Sequence, residues 1–337
     1  MLVFHKIYKN TRIWVLFLFG LTYPFIVTNN YFLHITNLAI IFAIMTLSLN
    51  ILSGCTGLMS VGHIAFYGIG AYTSAILTTG PGVPVFFGFL MAGVVSALGS
   101  LLLGLPTMRL RGMYFAVATL AFGEVVYQLI VNLVDLTGGT KGIKGIPSPQ
   151  IFGMAIRNYG HYYYLCFVIL VLTIICCRNL IYSRPRRAML AIRENDIAAE
   201  AMGVNIVWYK LIAFMVSAFF AGVAGALYAH EVRYISPETF AGAESSAVLA
   251  MMVVGGIGSI AGAVLGGAGL TVLPEFLRGF GNVRLVIYGA AVVAIIIFAP
   301  KGLGGLVERV DGFLCGNAKK RPPSGAKLNG AKPGGAQ

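Results

Sequence analysis

Residues 182–210 read YSRPRRAMLAIRENDIAAEAMGVNIVWYK, a polar island between two long apolar runs. The island holds Arg184, Arg186, Arg187, Arg193, Glu194, Asp196, Glu200 and Lys210, in a chain of which only 10% is charged. Helix formers run from Arg187 to Met202 and Gly203 offers a stop, so one helix is expected here. The flanking runs are continuous, as in AIIFAIMTLSLNIL (39–52), and lack the period of two that a membrane barrel requires. Hydrophobic residues make up 58% of the 337, glycines number 43, and the mean hydropathy is +0.85. Soluble domains are roughly 45–50% apolar and about 25% charged. The fold class is therefore all-α, a polytopic transmembrane helical bundle.

A helix needs roughly 20 apolar residues to cross the ~30 Å hydrocarbon layer. Spans are expected near 13–28, 35–53, 60–79, 84–105, 113–134, 161–178, 211–229, 245–258, 259–277 and 283–299. The island's four arginines place it in the cytosol. Counting backwards, 135–160 lies outside, while Arg109, Arg111 and the N-terminal Lys6, Lys9 and Arg12 lie inside, as the positive-inside rule asks. Lys141, Lys144 and Arg157 form a mild excess outside. Seven Lys or Arg follow residue 300, so the C-terminus should also be cytosolic. Residues 245–277 must then cross twice or re-enter, about the break GGIGS at Gly255–Ser259. The expectation is about ten crossings including Gly-broken helices, with N and C termini cytosolic. Residues 1–12 form a cytosolic N-terminus ahead of an uncleaved signal-anchor helix. Residues 307–337 form a basic tail, expected to be disordered and to touch membrane lipid. The net charge of +13 sits at segment ends and in this tail, without interleaved aromatics, so no nucleic acid is expected as a partner.

Small residues at helical spacing imply close helix packing in lipid. Gly258, Gly262 and Gly266 fall at every fourth position; Gly70 with Ser74, Ser96 with Ser100 and Gly104, and Ala218 with Gly222 repeat the pattern. The stretch LNILSGCTGLMSVGHIAFYGIGAYTSAIL (49–77) is echoed by MMVVGGIGSIAGAVLGGAGLTVL (251–273), each an apolar helix interrupted by glycines. Paired broken segments of this kind point to two pseudo-repeated halves and to a transporter's central path. Gly62, His63, Gly68, Gly70, Gly255, Gly256 and Gly258 are the candidates for helix breaks or path lining.

No catalytic set is visible: GxSxG, HExxH and a Walker loop are all missing. The chain is not expected to be an enzyme, and an ATP-driven transporter of this kind must borrow its ATPase. Cys55, Cys166, Cys176, Cys177 and Cys315 have no metal-ligand spacing. Glu124 is the only acid well inside an expected span. It is a candidate substrate or proton site, with pairing to Arg109, Arg111 or a backbone group as the bland alternative. A helix-terminus role is the bland reading of His63, and packing is the bland reading of Tyr67, Tyr72, Tyr114 and Tyr127.

The segments GLMSVGHIAFYGIGAYTSAIL (57–77), LRGMYFAVATLAFGEVV (110–126), TGGTKGIKGIP (137–147), the run from Arg187 to Ala229, VGGIGSIAGAVLGG (254–267) and FAPKGLGGL (298–306) occur in order. Together they resemble the LivM-type permease of bacterial branched-chain amino acid ABC transporters. The resemblance implies a multi-pass subunit of the bacterial inner membrane whose 13–306 domain conducts Leu, Ile or Val. It implies a second, LivH-type permease, two cytosolic ABC ATPase subunits that carry the ATP, and a periplasmic substrate-binding protein. No cofactor is implied on this chain. The island then becomes the helix that docks on an ATPase, through Arg193, Glu194, Asp196, Glu200, Ala201 and Gly203. The alternatives are a permease of the same fold for urea, amides, other amino acids or another small polar solute, and a proton-coupled carrier using Glu124.

Overall fold

The computed structural model describes residues 20–305 apart from 21, 26, 28, 109, 111, 152, 153, 157 and 299–301. The expected N-terminus 1–12, most of the span 13–28, Arg109, Arg111, Arg157 and the tail 307–337 lie outside the described residues. Among the described residues, eleven α-helices longer than one turn carry the fold: α1 (Asn30–Thr56), α2 (Ile64–Thr79), α3 (Val85–Thr107), α4 (Met113–Asn132), α5 (Tyr159–Tyr182), α6 (Arg184–Glu194), α7 (Asp196–Ala201), α8 (Ile206–Val232), α9 (Gly242–Gly255), α10 (Ile260–Phe276) and α11 (Arg284–Phe298). Among the described residues, six helices, α1, α3, α4, α5, α8 and one that includes α10, are long and apolar enough to cross a membrane. α2, α9 and α11 are apolar but shorter.

Two 27-residue helices, α1 and α8, form the centre. Each starts at an asparagine cap: Asn29 Oδ1 accepts from Tyr31 N–H and Asn205 Oδ1 from Trp208 N–H. Each stops in a left-handed residue, Gly57 at φ 74° and Arg233 at φ 59°. α2 and α3 pack on α8, while α5 and α10 pack on α1. The contacts hold because small residues let backbones meet. A Cβ on Gly70 would strike the Gly222 backbone, one on Gly225 the Tyr67 carbonyl, and one on Gly267 the backbone of Ala43. Without a hydrophobic drive between helices in lipid, such contacts are where packing energy is gained. Ser96 Oγ adds a hydrogen bond to the Phe66 carbonyl at 2.9 Å.

The ends of the bundle are fixed by polar ties. At the end distal to the island, Ile143–Lys144 pairs antiparallel with Tyr234–Ile235. His230 Nδ1 donates to the Pro147 carbonyl at 2.7 Å and its Nε2 meets Ser74 Oγ at 2.9 Å, so the ring anchors the 137–147 segment to α2 and α8. Glu231, buried beside it, accepts from Asn37 Nδ2 at 3.1 Å and pairs with His34 Nδ1 at 3.0 Å. Glu124 is therefore not the only acid within a long apolar helix: α8 runs three residues beyond its expected end and carries Glu231.

Two further expectations change. The island forms two helices, because Asn195 turns to extended backbone and caps α7 by accepting from Ala198 N–H. Gly258 does not share a helical face with Gly262 and Gly266: it lies between α9 and α10 at φ 86°, whereas Gly262 and Gly266 pack against Gly255 and Met251. Replacing Gly222 by Val should cost about 1–3 kcal/mol or more, since the added carbons meet Ser96 and the Ala92 carbonyl. Gly269→Val, where a Cβ meets nothing, should leave stability unchanged. Thermal unfolding of the two variants in detergent is the check.

Candidate functional site

The helix breaks and the island form one connected structure. α1 ends at Gly57, and the chain climbs back through 58–63 before α2 starts. His63 Nε2 lies 3.0 Å from Ser48 Oγ, eight residues before the end of α1 and so ~12 Å up its axis. The 60–63 end of the break thus reaches into the bundle, where Ser60, Gly62 and His63 are buried. Side chains from two other helices satisfy its backbone. Val61 N–H donates to Thr119 Oγ1 of α4 at 3.0 Å, and Ser245 Oγ of α9 donates to the Val61 carbonyl. Gly62 lies against the Thr119 carbonyl, where a Cβ has no room. Ser48 Oγ also donates to the Met45 carbonyl, so the 3.0 Å contact places the ring proton on His63 Nε2. The other ring nitrogen, Nδ1, is buried without a partner, as is Ser60 Oγ.

The second break, 256–259, lies at the island end. Gly256 at φ 106° and Gly258 at φ 86° make the turn. Asn50 holds both of its sides: Gly258 N–H donates to Asn50 Oδ1 at 2.7 Å, and Asn50 Nδ2 donates to the Ser259 carbonyl at 3.1 Å. Gly302 and Gly304 close over it, against Gly256 and Ser259. Arg193 reaches the same place. Its Nη1 donates to the Gly54 carbonyl at 2.7 Å, and Nη1 stands 3.4 Å from the position of a Cβ on Gly258. A cation at the C-terminal carbonyls of α1 is also favoured by the helix dipole.

The remaining island residues divide by exposure. Asp196 pairs with Lys210 Nζ at 2.8 Å, and that lysine is 3% exposed, so this ion pair bolts α7 to α8. Glu194, Glu200 and Ala201 are exposed, and Gly203 turns at φ 80° with open space around it. Beside them stand three bare apolar side chains: Ile197 at 64% exposure, Met202 at 84% and Trp208 at 58%. Away from the island, Gly68 admits the Phe240 ring and Gly70 admits Gly222. Gly255 abuts Gly262. Glu124 is exposed on α4, where Gln128 Nε2 donates to its Oε1 at 3.1 Å. The structure thus brings Arg193 and Gly258 together, and leaves Glu124 apart from both. Asn50, Thr119 and Ser245, which satisfy the breaks, were not singled out from the sequence: a lone polar residue in an apolar run does not announce its partner.

Comparison with known proteins decides the class. The family described as "Branched-chain amino acid transport system / permease component" matches residues 31–299. The chain belongs to this family. It is 36% identical over 311 residues to the high-affinity branched-chain amino acid transport system permease protein LivM of Salmonella typhimurium, covering 86% of this chain and 73% of that protein. The LivH permease of Escherichia coli strain K12 is 25% identical over 287 residues, covering 79% of this chain and 92% of LivH. LsrC, the autoinducer 2 import system permease of an Enterobacter species, is 27% identical over 211 residues, 60% of this chain and 58% of LsrC. No solved structure matches. This protein is a membrane permease component of that transport class, and not an enzyme. Its working parts are therefore a path and the contacts that move it.

Asn50→Leu would remove the partners of the half-exposed Gly258 amide and Ser259 carbonyl, at about 0.5–1.5 kcal/mol for each hydrogen bond lost. Arg193→Ala should also lower the melting temperature, because Gly54 O loses its donor. Glu200→Ala, at an exposed position, should not. Differential scanning fluorimetry of the three purified variants separates the outcomes.

Proposed function

We propose that this chain lines the path by which a bacterial ABC importer carries leucine, isoleucine or valine across the inner membrane. In this reading a periplasmic binding protein delivers the amino acid, a LivH-type permease completes the path, and two ATPase subunits in the cytosol hydrolyse ATP. About ten crossings, two related halves and cytosolic termini belong to the same reading. The observation that carries it is the island's surface: Ile197, Met202 and Trp208 stand bare among Glu194 and Glu200, on helices fastened to the bundle by Lys210 and Arg193. Exposed apolar groups ringed by charge mark a protein contact, and the likeness to LivM supplies the partner's class. The outer face of α4 supports the second permease. Glu124, Gln128 and Asn132 are all exposed, four residues apart, on a helix apolar enough to span the membrane. Carboxylates at membrane depth face protein or a watery cavity.

A permease for another small polar solute is the second reading, supported by the likeness to LsrC, whose name states a different cargo. Calorimetry of the binding protein that works with this permease discriminates the two. Met202→Glu should weaken ATPase docking by at least about 2 kcal/mol, the loss of an interface hot spot, or ~30-fold in affinity. Co-purification of the ATPase subunits should be lost while membrane insertion persists. Retention of the ATPase by this variant and by Ile197→Asp would refute the docking assignment.

A further inference from the structure

The end of α5 and the start of the island are rich in arginine and lack acids. Arg178, Arg184, Arg186, Arg187 and Arg193 fall within 16 residues, and no Asp or Glu occurs between Asp135 and Glu194. α5 has 24 residues, ~36 Å of helix, against a hydrocarbon layer of ~30 Å. Its outer face carries exposed Val168, Leu172 and Ile175, and then exposed Arg178 and Asn179. The apolar layer therefore ends near Ile175. The last turn of α5 and the start of α6 stand at the depth of the lipid headgroups.

A cavity opens at that depth between α1, α5, α6 and the second break. Its free room is about 20 Å³, enough for a water-sized group. Its lining on α1 runs from Leu47 to Cys55, ~12 Å along the helix axis, so the cavity is a narrow slot. The two ends of the slot differ. Arg186 lines the island end, where its Nη1 donates to the Ile181 carbonyl at 3.1 Å in the last turn of α5. That bond uses one of the five guanidinium N–H groups and holds the half-buried side chain at the wall. Arg187, the next residue, is exposed. Deeper in the bundle the walls are apolar, with Leu47 and Ile51 of α1. Among the described residues that line the slot there is no carboxylate.

We propose that this slot takes an anionic phospholipid from the leaflet on the island's side, with the lipid phosphate at Arg186. A phosphate oxygen enters beside the guanidinium, Arg187 adds charge at the mouth, and the edge of the lipid's apolar part rests on the walls toward Ile51. Arginine suits this task because its planar fork matches phosphate geometry. Basic pockets between spanning helices at headgroup depth are where anionic lipids bind. A free phosphate has the same charge, but the apolar end of the slot offers it nothing, so the lipid is the assigned source. A lipid there meets α1, α5, α6 and Gly258 at once, which are parts of the junction that Asn50 and Arg193 also hold. The site goes beyond the transport reading and holds for any cargo.

The test uses the complete transporter in detergent, titrated with dioleoyl phosphatidylglycerol, with bound lipid counted by native mass spectrometry. Arg186→Gln should weaken retention about fivefold or more, the effect of one cation beside a lipid phosphate. Arg186→Lys, which keeps the charge and loses the fork, should fall between it and the unaltered chain. Ile260→Trp fills the slot without touching charge and should weaken retention as well. Arg278→Gln removes an exposed cation that pairs with Glu275 instead, and should leave retention unchanged. Where Arg186→Gln folds poorly, Arg187→Gln serves, with a loss in the same direction. Equal retention of zwitterionic dioleoyl phosphatidylcholine overturns the proposal, and so does the same loss in Arg278→Gln, which marks net charge alone. Unchanged retention in Arg186→Gln and Ile260→Trp overturns it too. Displacement of the lipid by millimolar inorganic phosphate at constant ionic strength assigns Arg186 to a free phosphate and rejects the lipid.

Discussion

Everything in this bundle depends on how the backbone is satisfied at two helix breaks, one reaching into the bundle at 57–63 and one at the island end at 256–259. A freed N–H or C=O shut off from water costs several kcal/mol if unpaired. Two short polar side chains and one amide meet that cost. Thr119 and Ser245 bind the two sides of Val61, and Asn50 binds the two sides of the Gly258–Ser259 turn. Each comes from a helix other than the one it serves. The breaks therefore exist only as part of the assembled bundle, and they join helices that are far apart in sequence.

Those pairings also connect the island to the interior. Arg193 holds the last turn of α1 and stands beside Gly258; Asn50 ties α1 to Gly258; α9 begins two residues past Phe240 and reaches Gly255. Along this one helix, Gly255 at the island end and Ser245 at Val61 stand ten residues, ~15 Å, apart. A helix this short bends little, so a displacement at its glycine hinge is carried to Ser245 and to the 57–63 break. Shifting a two-state equilibrium from 1:99 to 99:1 takes about 5.5 kcal/mol of differential binding. A partner that grips the island more tightly in one state would deliver that energy at the hinge.

The long elements were legible in the sequence because they rest on composition alone. The expected spans 35–53 and 211–229 fall within α1 and α8, 84–105 matches α3 to within two residues, and the 245–277 segment does split at the glycines. The small-residue pairs also met as their spacing implied, with Gly70 on Gly222 and Ser96 on Gly222. The contacts that make the site were not legible. Asn50 and Ser259 lie 209 residues apart, and nothing local to either marks the pairing. The break of the island at Asn195 was hidden for a related reason. Helix propensity favours continuity from Arg187 to Met202, and the small gain of a side-chain cap on Ala198 is decided by how α7 must turn to bring Asp196 to Lys210.

The same geometry bears on how the transporter is powered. A carrier driven by protons needs titratable groups in reach of one another along the path. Glu124 is bonded to Gln128 of its own helix and lies on the exposed side of α4, while Thr119, Val126 and Ile130 face the bundle. Glu231 is occupied by His34 and Asn37 at the far end. These two acids belong to different helices, and neither is bonded to Asn50 or Arg193. Polar connections also run between the island and the second break, through Arg193 at the Gly54 carbonyl and Asn50 at Gly258. In the proposed ABC importer energy would enter at the island, and the turn beside it would have to move with its backbone partners; Asn50 holds an amide and a carbonyl from that same turn.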